Sequence, residues 1–88
     1  MANIRDLKKD INFVLGDIID AVYVWEAMTP DAEAAKGEAI IDDAIETFDV
    51  LIAKVNDRKV ENRKQHIKVV RVELEEKATT LVERINKL

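Results

Sequence analysis

Gly16, Pro30 and Gly37 are the whole glycine and proline complement of this 88-residue chain. Those two residue types do most of the turning in proteins, so a chain with three of them has few places to reverse. A sandwich or barrel of short strands would need a turn signal about every ten residues. Nothing here supplies them. Ala, Val, Ile and Leu with Glu, Lys, Asp and Arg make up most of the remainder, a composition suited to long helices and little loop. The chain is expected to be all-α.

Three segments carry helical periodicity. In the first, Ile4, Leu7, Ile11, Val14, Ile18, Ala21, Trp25 and Met28 alternate between three- and four-residue steps, which keeps side chains on one helix face. The spacing predicts a helix over about 3–28, with Asn3 as N-cap and Asp6 near the positive end of the helix dipole. Gly16 lies inside it at a cost of about 1 kcal/mol relative to Ala and is a candidate for close helix approach. Thr29-Pro30-Asp31 ends the segment. Pro30 suits the first position of a second helix over about 30–56, with Thr29 as its cap. The second stripe is Gly37, Ile41, Ala44, Phe48, Leu51 and Val55, widened by Ile40, Ile45 and Ile52. Its thin start, Ala32 to Gly37, is expected to face the bulky end of helix one, with Tyr23, Trp25 and Met28 filling the space.

The third segment repeats every seven residues at Val60, Ile67, Leu74, Leu81 and Leu88, with Val70, Ala78 and Ile85 between. That is coiled-coil-like spacing. Asn56, Asp57 and Asn62 are all candidate caps, so a helix over about 60–88 can begin anywhere from 57 to 63, after a loop of roughly 56–61. Long helices with short connections fold back on one another. The expected architecture is an up-down-up antiparallel three-helix bundle, with residues 1–88 as a single domain.

From Ile18 to Met28 nearly every residue is apolar or aromatic, around almost the whole helix. A small bundle covers one side of such a helix. Ile19, Val22, Tyr23 and Trp25 are therefore the candidate surface for a protein partner or for a homodimer, in keeping with the aromatic enrichment of interface cores. The charges offer a second candidate. Residues 1–53 hold four basic and twelve acidic side chains, and residues 54–88 hold ten and six. The bland reading is a basic third helix folding against two acidic ones. The alternative is a nucleic-acid surface over 58–71, carried by Arg58, Lys59, Arg63, Lys64, Lys68 and Arg71.

Chemistry is hard to place in this sequence. There is no cysteine, hence no disulfide and no thiolate metal site. Di-iron bundle sites use Glu-x-x-His pairs, and the single histidine, His66, follows Arg63 at that spacing. Asp42, Asp43, Glu46 and Asp49, with Asp17 and Asp20 nearby, read as a solvated acidic face rather than a cation site. No nucleophile set or glycine-rich phosphate loop is present. The expectation is a protein that is not an enzyme and takes no cofactor or small-molecule substrate. The charged, already periodic N-terminus shows no signal peptide, and the most apolar stretch is too short and too acidic to span or lie on a membrane. A cytoplasmic protein is expected.

Over its length, through Ile4-Arg5-Asp6-Leu7-Lys8-Lys9-Asp10-Ile11, Leu51-Ile52-Ala53-Lys54-Val55-Asn56 and the amphipathic C-terminal segment, the chain resembles small uncharacterised bacterial helical-bundle proteins. The resemblance implies a bacterial cytosolic protein and brings no activity or site residues. Together these readings lead to a non-catalytic structural or protein-interaction module.

Overall fold

A computed structural model describes residues 4–57 and 59–88. Three α-helices follow in chain order: α1 Ile4–Met28, α2 Ala34–Asn56 and α3 Arg63–Asn86. Each packs on the other two, giving an all-α three-helix rod of about 50 × 20 × 16 Å. Asn3, the expected cap of α1, lies outside the described residues.

The first corner differs from the sequence expectation. Pro30 does not open α2. The Ala32 N–H donates to the Thr29 carbonyl at 3.0 Å, so Pro30 occupies the second position of a tight turn, where its fixed φ is equally at home. Helix α2 begins four residues later, capped by an extended Glu33 whose side chain makes no cap hydrogen bond. The second corner falls within its predicted window. Asn62 is the cap, its side-chain oxygen accepting from the Gln65 N–H at 3.0 Å. Val60 and Glu61 therefore precede α3, and the helix starts at 63 rather than 60.

The core is Leu7, Ile11, Leu15, Ile18 and Val22 of α1, Ile40, Ala44, Leu51 and Val55 of α2, and Ile67, Val70, Leu74 and Leu81 of α3. On α3 this is the sevenfold repeat. On α1 it is not the stripe first read: Leu15 and Val22 are buried, while Ala21 and Met28 are exposed. Val14 is half-buried against the core, and the deepest burial extends to Leu15 and Val22 because that side of α1 meets α2, Leu15 at the α1/α2 groove and Val22 at Gly37.

The close approach is at Gly37, not Gly16. A Cβ on Gly37 would stand 3.0 Å from Val22 Cγ1, 3.3 Å from Trp25 Cζ3 and 2.6 Å from Glu26 Oε1. A Cβ on Gly16 would meet nothing within 4 Å. The thin start of α2 does receive the bulky end of α1, through Val22, Trp25 and Glu26. Tyr23 and Met28 instead point to solvent.

Candidate protein-interaction surface

A three-helix bundle has three outer grooves, and here they differ in kind. Between α1 and α3, Arg71 donates to Asp10 at 2.7 Å. Between α2 and α3, Lys54 reaches Glu73 at 2.6 Å and Arg84 pairs with Asp43. Among the described residues every ion pair between helices thus involves α3, which supplies the base to Asp10 and Asp43 and the acid, Glu73, to Lys54. Salt bridges this exposed contribute about 0–1 kcal/mol each, so their effect is more to orient α3 than to hold it.

The groove between α1 and α2 carries no ion pair among the described residues. It is lined by Asn12, Leu15, Gly16 and Ile19 of α1 and by Ile45 and Phe48 of α2. These belong to two rows. On α1, Asn12, Gly16, Ile19 and Tyr23 follow at steps of four, three and four. On α2, Ile41, Ile45, Phe48 and Ile52 follow at the same steps. Such spacing keeps each row on one side of its helix. Ile19, Ile41, Phe48 and Ile52 are half-buried against the core, whereas Ile45 is 48% and Tyr23 55% exposed. The result is a second apolar seam, parallel to the core seam and open to solvent on the side away from α3.

The four residues first picked for an interface therefore divide. Ile19 and Tyr23 lie on this seam. Val22 is fully buried and Trp25 lies half-buried over Gly37, so both serve α1–α2 packing and Val22 offers a partner nothing. The α2 wall, Ile45 above all, was read only as a widened core stripe. Its signal was present: Ile41, Ile45, Phe48 and Ile52 form a complete row beside the buried one, more than the core alone needs.

The basic stretch also divides. Arg58 lies outside the described residues. Lys59, Arg63, Lys64 and Lys68 are exposed around the start of α3, whereas Arg71 is tied to Asp10. His66 is half-buried, and its Nε2 lies 2.6 Å from the Lys54 carbonyl at the end of α2. A carbonyl only accepts, so the ring nitrogen donates, and His66 fastens the C-terminus of α2 to the first turn of α3. Asp42, Asp43, Glu46 and Asp49 are exposed, Asp43 being engaged by Arg84. Among the described residues no group of His, Cys, Asp or Glu is placed to hold a metal ion, and no helix is long and apolar enough to cross a membrane.

Comparison with known proteins returned no matching family model, curated protein or solved structure.

Proposed function

We propose that this chain is a non-catalytic protein-interaction module, of bacterial cytoplasmic type, that receives helices of a protein partner in the α1/α2 groove. The observation that carries the reading is the contrast among the three grooves. Two are crossed by ion pairs to α3, and the third presents an unbroken apolar row on α2 beside Ile19 and Tyr23. Helix-in-groove recognition uses anchors at this spacing, and a fourth helix seated there would bury what the bundle leaves open. Trp25 and Val22 act behind the surface, by fixing how α1 meets α2.

The test is a photoreactive side chain placed at Ile45 or Tyr23, and at the exposed Glu76 of α3 as control, in cells that make the protein. Protein adducts from the first two positions and not from Glu76 are expected. Equal or absent labelling at all three positions overturns the reading. The alternative is a nucleic-acid surface on Lys59, Arg63, Lys64 and Lys68. It has less support, because Arg71 is engaged by Asp10 and no Phe, Tyr or Trp lies among the cations of residues 58–71 to stack a base.

A further inference from the structure

We infer that the occupant of the α1/α2 groove is a second copy of this chain, packed antiparallel about a two-fold axis that passes near Gly16 and Ile45. This rests on the reading of the groove as a protein surface and adds the identity and direction of the partner.

The first support is where the seam is centred. Gly16 is the midpoint of Ile4–Met28 and Ile45 the midpoint of Ala34–Asn56, and both line the same groove. Gly16 leaves open space at that point, so a second α1 can cross close to the first. An axis there gives each half of the seam an identical partner half, as a two-fold interface demands.

The second support is charge. Continued toward the N-terminus of α1 at the same steps, its row reaches Lys9 and Arg5, both exposed, with Lys8 beside them. Continued toward the start of α2, the other row reaches Glu38, with Asp42 beside it, both exposed. The two helices are antiparallel, so these clusters lie at opposite ends of one seam. At the acidic end α1 adds Glu26, while Asp20 stands four residues from Gly16 and nearer the axis. Asp42 and Asp49, three and four residues either side of Ile45, both lie close to the axis, so the outermost acid of the α2 row is Glu38. No ion pair within the chain engages Arg5, Lys8, Lys9, Glu38 or Asp42 among the described residues. A seam whose bases, Arg5, Lys8 and Lys9, gather at one end and whose outermost acids, Glu26 and Glu38, lie at the other is complementary to itself only when turned end over end. Parallel stacking would set like charges together, which works against association.

The third support is size. A seam as long as α1, about 35 Å at 1.5 Å per residue, and about 20 Å wide offers about 700 Å² per partner, close to the roughly 800 Å² of a standard stable interface.

The experiment is absolute mass by light scattering on the full chain, from about 1 μM to about 1 mM, at low salt. A dimer near twice 10.0 kDa is expected. Ile45→Lys, at an exposed position, is expected to give a monomer of unchanged helicity by circular dichroism. R5E/K9E reverses the basic end, and E38K/D42K offsets the remaining Asp20 and Glu26 and removes the negative excess of the acidic end. Each variant alone is expected to weaken the dimer about tenfold or more, and mixing the two is expected to restore it. A monomer at every concentration overturns the inference but leaves the groove as a protein surface, since crosslinks from Ile45 would then carry a foreign mass. A dimer indifferent to Ile45→Lys overturns it by placing the contact elsewhere. A dimer lost with Ile45→Lys but indifferent to both charge variants overturns the antiparallel register.

Discussion

Two glycines inside helices, alike in sequence, have opposite meanings in the fold. Gly16 has no neighbour where a side chain would begin, and its backbone is helical with φ in the ordinary range. Gly16→Ala therefore gains helix propensity without a clash and is expected to stabilise the protein by about 0.5–1 kcal/mol, read as a higher midpoint in urea. Should the open space be occupied by a second α1, the same substitution will also weaken the dimer. Gly37 is hemmed in by Val22 and Trp25, one fully buried and stiff at its branched Cβ, the other a large ring. Gly37→Leu is expected to force α1 and α2 apart and to cost about 1–3 kcal/mol or more, the range for overpacking. The same denaturant series checks it. Sequence could not separate the two glycines, because periodicity places a residue on a face and says nothing of the distance to the next helix. Only the thin run Ala32 to Gly37 hinted which of them was pressed.

At the scale of the element, three helices and their order were legible because their apolar steps are long and regular and because Thr29-Pro30-Asp31 is an unmistakable break. The start of α2 was misplaced because proline's fixed φ serves a helix start and a tight turn equally well. The start of α3 stayed a window because three residues could each cap it, and only tertiary contacts choose. Asn62 prevails, and four residues further on His66 reaches back to the Lys54 carbonyl. Asn62→Ala is expected to cost about 1 kcal/mol through the lost cap, and His66→Ala a similar amount by removing the tie from α3 to the Lys54 carbonyl, which among the described residues keeps only its longer bond from the Asp57 N–H. Hydrogen exchange should show both losses first as faster exchange in the opening turn of α3. The surface seam was half legible. The apolar excess of α1 pointed to Ile19 and Tyr23, whereas the α2 wall was absorbed into a core that turned out to need fewer residues.

For the molecule as a whole, the interhelical ion pairs and the continuous apolar row of α2 fall in different grooves. The ion pairs gather where α3 meets its neighbours, and the open apolar seam lies where α3 is absent. If two copies share that seam, unfolding releases two chains from one particle, and the thermal midpoint must depend on protein concentration. A rise of about 3–4 °C per tenfold concentration is expected, from 1.4 kcal/mol per decade set against the unfolding entropy of two such chains. Scanning calorimetry at three concentrations measures it, and Ile45→Lys should flatten the dependence. The chain also enters the rod at one end and leaves at the other, because it crosses the long axis an odd number of times. Tension applied between Ile4 and Leu88 would therefore run along the helices. It would load the interhelical packing in shear along its whole length, where a hairpin pulled from one end would simply peel.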